Sequence, residues 1–269
     1  MKRVTWWRLV LAVVFPLLLS RAPVSAQEGR AENPEIQEKA MSALKRMITV
    51  LSQAKQFSFT SEVGFDVMQD WGQKVEFGET RTVTVRRPDH ARIDVTKRDG
   101  AQSGFVFDGK EITVFDIQEN VYATVAKPGT LDDAITHVVN DLDMRLPLAE
   151  MMSSRLPQIA SERVRAARYV EQSTIAGISC DHLALRSDRV DLQLWIAQGD
   201  QPLLQRLVIT YTHAEGQPQF WAQFREWQLT PEVPDSLFTF TPPEGAAKIA
   251  FAPRRSSSAA RMETKGGQP

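Results

Sequence analysis

The stretch PGTLDDAITHVVNDLDMRLPLAEMMSSRL, residues 128–156, separates two long series of alternating residues, and its reading decides the fold. Leu131, Ala134, Ile135, Val138, Val139 and Leu142 recur at three- and four-residue spacing, which places them on one face of a helix. Thr130 followed by Asp133 has the pattern of a capping box, with Asp in place of the usual Glu or Gln, and Pro128-Gly129 ends any preceding strand. The pattern resumes at Leu146, Leu148, Met151, Met152 and Leu156, and Pro147 and Pro157 break it into short pieces. The stretch therefore predicts two short, Met-containing helices over residues 130–156. They either complete the core or form a cover that repacks around ligands of different shape, since methionine is flexible and polarizable.

Outward from this insert, the residues on both sides read as strands. Phe57, Phe59, Val63, Phe65 and Val67 alternate with Ser58, Thr60, Glu62 and Asp66, the period expected when one sheet face is wet. Strands continue at 80–86, 92–97, 104–107, 111–116 and 121–125, and two of the turns between them, Asp99-Gly100 and Asp108-Gly109, have hairpin chemistry. Trp71-Gly72 suits another turn. This first strand series covers residues 55–126. A second series, 163–229, holds strands at 169–175, 180–186, 190–197, 203–213 and 219–229. The expected fold is α+β: about eleven antiparallel strands in a sheet too large to stay flat, curled into a half-open barrel.

The N-terminal part supplies one more helix. Ile36, Ala40, Ala43, Leu44, Met47, Val50 and Leu51 mark one face of a helix over 34–54, with Pro34 suited to its first turn. Upstream, Lys2, Arg3 and Arg8 precede the apolar run 9–19, and Val24-Ser25-Ala26 offers the small residues of a cleavage site. Residues 1–26 thus read as a signal peptide and 27–251 as one exported domain, 230–251 being its C-terminal segment. An uncleaved anchor is the alternative, and with no cysteine after the run there is no lipoprotein anchor. Residues 252–269 have the composition of a disordered tail.

Composition limits the chemistry. The 269 residues carry a formal charge of -1 with both signs interspersed, so there is no basic field of the kind that attracts nucleic acid. One cysteine, Cys180, rules out an internal disulfide, and His90, His137, His182 and His213 lack ligand spacing, so no metal or cofactor is expected. No nucleophile elbow, phosphate loop or zinc-protease motif occurs. In Cys180-Asp181-His182 the strand period puts Cys180 and His182 on one face and Asp181 on the other, which suits a buried cysteine beside a half-exposed histidine better than a catalytic pair. The acid pairs Asp132-Asp133 and Asp141/Asp143 sit near helix ends, where caps and dipole partners are the ordinary reading. Trp195, Trp221 and Trp227 with Phe220 and Phe224 supply either core volume or the lining of an apolar pocket.

Three stretches in order, Arg86-Arg87-Pro88-Asp89-His90-Ala91-Arg92, residues 107–116 (FDGKEITVFD) and residues 238–245 (FTFTPPEG), resemble the LolA-type periplasmic lipoprotein carriers. With residues 126–132, 146–149, 177–183 and 191–197 added, the chain from 34 to 251 resembles the predicted periplasmic family called domain of unknown function 2092. The resemblance implies a periplasmic half-barrel wrapped around a helical lid, with an apolar cavity for a lipid, a lipoprotein acyl chain or another apolar ligand. It implies no enzyme, and no integral membrane protein once the leader is removed. It also implies that Arg87 locks the lid by hydrogen bonds, the alternative being a solvated strand-end charge. Inward-facing apolar positions of this reading are Phe59, Val63, Phe65, Phe105 and Phe107 on the first strands. Ile135, Val138, Val139, Leu142 and Met151 follow on the lid, and Leu192, Leu194 and Ile196 on the late strands. A barrel plugged by its helices, acting through its surface on an envelope partner, is the competing reading.

Overall fold

The computed structural model describes residues 37–142 and 148–251. The expected signal peptide, Pro34, Ile36, Asp143, Leu146, Pro147 and the expected tail lie outside the described residues. The chain opens with α1 (Glu38–Gln53) and continues into β1 (Gln56–Met68), β2 (Lys74–Arg86), β3 (His90–Lys97), β4 (Gln102–Phe107), β5 (Glu111–Asp116) and β6 (Val121–Ala126). Three helices follow, α2 (Leu131–Asn140), α3 (Ala149–Met152) and α4 (Leu156–Arg163). Then come β7 (Ala166–Ile175), β8 (Ile178–Arg186), β9 (Val190–Ala197), β10 (Leu204–Tyr211) and β11 (Gln219–Gln228), a 3-10 turn at Asp235–Phe238, and the short β12 (Ala247–Lys248).

The strands form one sheet of 12 in the order β12-β6-β5-β4-β3-β2-β1-β11-β10-β9-β8-β7. Each series is a meander of nearest neighbours, and the two meanders join through the pairing of β1 with β11. All pairs are antiparallel except β12 with β6. Strands β12 and β7 are the two ends and do not pair with each other, so the sheet stays unclosed. At Asp99-Gly100 the hairpin turn needs a positive φ, and Gly100 adopts 90° at no steric cost.

One face of this sheet shares a single apolar cluster with all four helices. Phe57, Phe59 and Val63 of β1, Ile93 of β3, Phe107 of β4, Ile112 of β5, Leu183 of β8, Ile196 of β9 and Phe224 of β11 meet Leu44, Leu51, Val138, Met152 and Leu156 there. Strands so far apart in the order can share one core only if the sheet wraps around the helices, the half-open barrel expected from its strand count. Helix α1 buries Leu44, Met47, Ile48 and Leu51, a gross hydrophobic stabilisation of roughly 6–12 kcal/mol before ordering entropy is subtracted. On the outer face, residues 230–251 cross the first meander. Phe240 stacks on Phe115 at 4.7 Å, Phe238 packs edge-on against His90 at 5.1 Å, and β12 then covers the free edge of β6.

Three expectations are corrected. Strand β2 begins at Lys74, not near Thr80, because it pairs with β1 along its whole length, from Met68↔Lys74 to Gln56↔Arg86. Pro157 starts a helix rather than breaking one: it lies in the first turn of α4, where its missing N–H costs nothing, and the helical insert runs on to Arg163. Val139 is 41% exposed on the outer side of α2, so it cannot line an interior hollow.

Candidate functional site

The helical insert is held at its start by local chemistry. Thr130 accepts from the Asp133 backbone N–H at 3.2 Å and Asp133 accepts from the Thr130 N–H at 2.9 Å, completing the capping box of α2. The Thr130 hydroxyl also donates to Asp133, which holds that carboxyl below the usual aspartate range. The Leu131 N–H donates to the Pro88 carbonyl at 2.8 Å, which ties the helix to the β2–β3 turn.

Arg87 stands in the same turn, just past β2 and before a cis Pro88. Its Nη1 donates to the carbonyls of Leu51 (2.8 Å) and Ala54 (2.6 Å) at the end of α1. Its Nη2 donates to Met152 (3.0 Å) and Ser153 (3.5 Å) at the end of α3. Those carbonyls have no partner within their own helices, and a planar fork reaches both ends at once. Burial draws the guanidinium pKa down and the Asp132 carboxylate opposes the shift. Asp132, on the first turn of α2, accepts from the Ser153 hydroxyl (2.5 Å), the Ser154 N–H (3.1 Å) and the Ser154 hydroxyl. Arg87 and Asp132 therefore tie α1, α2 and the α3–α4 junction into one layer.

Beneath that layer the apolar positions expected to line a cavity are brought together on one face. Phe59, Val63, Phe105, Phe107, Val138, Met151, Leu194 and Ile196 belong to the common core, and Phe65, Ile135, Leu142 and Leu192 pack against it half-buried. Side chains of all four helices pack into this face and share its core. A recess of about 100 Å³ remains between Arg87, Leu131, Asp132 and Met152, below the roughly 300–1,000 Å³ of ligand pockets. A larger groove of about 580 Å³ runs outside the helix layer, between the exposed side of α1 at Met41, Lys45 and Thr49 and the β9–β10 loop at Asp200.

Away from the lock, the inner face turns polar for one step. Ser61 of β1 and Arg81 of β2 are register partners on the side of Phe59 and Val63. Ser61 is 0% exposed, and its Oγ has no hydrogen-bond partner among the described residues. Arg81 donates from Nε to Glu79 at 2.5 Å and lies over the Phe220 ring, 5.6 Å from its centre. Beyond them Phe65 and Phe77 stack at 6.2 Å, with Phe77 46% exposed. Sequence reading passed over Ser61 and Arg81, although one signal was present: Ser61 interrupts the phase of Phe57, Phe59, Val63 and Phe65.

Cys180 and His182 share the outer face of β8 as expected, but His182 is buried at 9% exposure rather than half-exposed, because it stacks on Trp195 at 4.1 Å. Its Nε2 meets Gln193. Burial pushes the Cys180 thiol pKa up, away from the thiolate a nucleophile needs. Asp181, on the inner face, accepts from Arg46, Tyr169 and Gln198, which fastens α1 over β8. The three groups are thus engaged in three separate tasks. Of the tryptophans, Trp227 packs on Phe59 in the core, whereas Trp195 and Trp221 lie on the outer face with Arg206 between them.

Residues 40–252 match the family described as predicted periplasmic protein (DUF2092). Among solved structures, the chain is similar to an uncharacterized conserved protein of Thermus thermophilus (12% identity, 79% of this chain and 99% of that one, TM-score 0.45). It is similar also to the lipoprotein LppX of Mycobacterium tuberculosis (15%, 73% and 98%, TM-score 0.44). The LolA superfamily protein NE2245 of Nitrosomonas europaea is a further neighbour (11%, 75% and 97%, TM-score 0.40). No curated protein matches the sequence. Among the described residues no helix is long and apolar enough to cross a membrane. With the match spanning most of its length, the chain belongs to the DUF2092 family of predicted periplasmic proteins.

Proposed function

We propose that this protein is a non-enzymatic binder of an apolar molecule, a lipid or a lipoprotein acyl chain, taken up on the inner face of the half-barrel when the helical layer moves aside. The mature unit of this reading is the single domain 27–251, carried to the periplasm by the leader 1–26. The observation that carries it is that one turn, Arg87 and Pro88, holds α1, α2 and α3 together, while the contact between helices and sheet is otherwise mainly apolar, apart from the Arg46–Asp181 bond of α1 and the Gln37 bonds to β7 just before it. Such a contact exchanges readily for an alkyl chain, because each methylene buried contributes about 0.8 kcal/mol, against the cost of displacing Met151, Met152 and Val138. Arg87 is the lock in this reading, and Met151 and Met152 are the adaptable part of the closing surface.

The test is native mass spectrometry with solvent extraction of protein purified from the periplasm. The expected result is an acyl-bearing adduct released on denaturation. Protein free of adduct in every preparation, with α2 and α3 amides as protected from exchange as those of β1, would sink the proposal. A second reading has its own support, since side chains of the helices pack into the inner face and share one core with it. A barrel permanently plugged in this way would serve an envelope partner through its surface, and that second result is the one it predicts.

A further inference from the structure

The polar step on the inner face is out of keeping with its surroundings. An arginine, its partner Glu79 and a serine sit within a face otherwise built from Phe59, Val63, Val83 and Phe224. The side chain of Arg81 is only 18% exposed, yet among the described residues its only polar partner is Glu79, bound through Nε. The two NH₂ groups of the fork are left with donors to spare. The fully buried Ser61 hydroxyl stands opposite Arg81 in register and is itself unpaired among the described residues. Leaving a buried hydroxyl unpaired costs free energy, so the free protein carries a penalty here that a ligand with acceptor oxygens would remove.

The surroundings restrict what that ligand is. Glu79 already balances the charge of Arg81, so the site offers hydrogen-bond donors without net charge, which suits a neutral carbonyl as well as a carboxylate. Phe65, Phe77 and Phe220 lie beside it, with Phe77 open to solvent, so whatever is attached to those oxygens is apolar. We propose that Arg81 and Ser61 form a head-group site that binds the carbonyl or carboxyl oxygens at the head of an acyl chain, with the alkyl part lying along Phe65, Phe77 and Phe220. Arg81 donates from its outer nitrogens, Ser61 donates its hydroxyl, and Glu79 fixes the plane of the guanidinium. This inference rests on the apolar-ligand reading and names the end of the ligand that the site recognises.

Diphenylhexatriene, a fluorescent hydrocarbon with no oxygen, reports the apolar hollow, while palmitate and methyl palmitate, each followed by native mass spectrometry, report the head site. Arg81→Met is expected to weaken both palmitoyl ligands about tenfold, the loss of one charge-assisted hydrogen bond, and to leave the hydrocarbon within twofold. Ser61→Ala is expected to weaken them severalfold while raising the Tm of the free protein, because it deletes an unpaired buried hydroxyl; a purely structural serine would move Tm the other way. Binding of both palmitoyl ligands marks an esterified chain as the natural source, and binding of palmitate alone marks a free fatty acid. Equal losses for the hydrocarbon and for palmitate in Arg81→Met would overturn the head site, as would wild-type protein that takes the hydrocarbon and refuses both palmitoyl ligands. Refusal of all three would overturn the apolar hollow as well.

Discussion

Arg81 and Arg87 belong to the same strand and its exit, and both face the inner side of the sheet, yet they are used in opposite ways. Arg87 spends both terminal nitrogens on four helix-end carbonyls, at the end of the half-barrel that the helices close. Arg81 uses Nε alone, on Glu79, toward the end where Phe77 is open to solvent. The residue type does not set the role. A guanidinium set where helices terminate finds orphan acceptors and becomes a clamp, whereas one set on a continuous ladder, whose carbonyls are already paired, keeps donors to offer. The inner face thus has a sealed end and a receptive end.

The widest gap between the two should come from one conservative substitution made twice. Lysine is a compact point charge with no fork, so Arg87→Lys cannot serve the carbonyls of both helix ends at once and should cost on the order of 2–3 kcal/mol in urea unfolding. The N–H groups of Met151 and Ser153, which close the short turn of α3, should exchange faster in the same variant. Arg81→Lys keeps its charge beside Glu79 and should cost less than about 1 kcal/mol. Similar losses at both sites would erase the distinction between clamp and receptor.

A smaller effect is expected from Asp132→Asn. The carboxylate accepts from Ser153 and Ser154 and lies close enough to Arg87 to oppose the burial that lowers the guanidinium pKa. The amide keeps the shape but loses the charge and presents an NH₂ in place of one of the two acceptor oxygens. A drop of about 1 kcal/mol is expected in thermal unfolding, with faster exchange confined to α2, α3 and their junction. Uniform acceleration through β9 would show that Asp132 supports the fold in general rather than the closed end.

Much of this architecture was legible in the residues. Period-two alternation located β5 and β9 to the residue, and Thr130 with Asp133 announced the start of α2. What escaped was set by partners distant in sequence. The first half of β2 is largely solvent-exposed and becomes a strand because the turn near Trp71-Gly72 pins it to β1. Helix α4 was hidden by Pro157, which reads as a breaker until its place in the first turn is known. Val139 satisfied the helical spacing, but the apolar stripe of α2 is narrower than its apolar residues. At the site, Arg87 was marked only by the Arg-Pro resemblance, since nothing local distinguishes it from Arg86, which turns outward to Asp235. The break in phase at Ser61 was visible, but its meaning required the register that sets Arg81 across from it.

Acid separates the two ends of the helical insert by a finer measure. The carboxyl of Asp133 is held below its ordinary value by the Thr130 hydroxyl, so its folded pKa lies under its unfolded one. Its contribution is therefore complete above the unfolded aspartate pKa of about 3.9 and drains away as pH falls through the lowered folded value. Arg87 keeps its proton throughout that range, so the clamp on α1 and α3 survives while the start of α2 loosens. Thr130→Ala removes the cap and should cost about 1 kcal/mol near neutral pH. The stability difference between wild type and this variant should then shrink as pH falls below about 4, because the wild type loses the same bond by protonation. A difference that stays constant from pH 7 to pH 3 would mean that the cap owes nothing to the ionised carboxylate. In that event the start of α2 would be held chiefly by the Leu131 bond to Pro88 and by apolar packing, and the sealed end would rest on the 87–88 turn and on the bonds of Asp132 to Ser153 and Ser154.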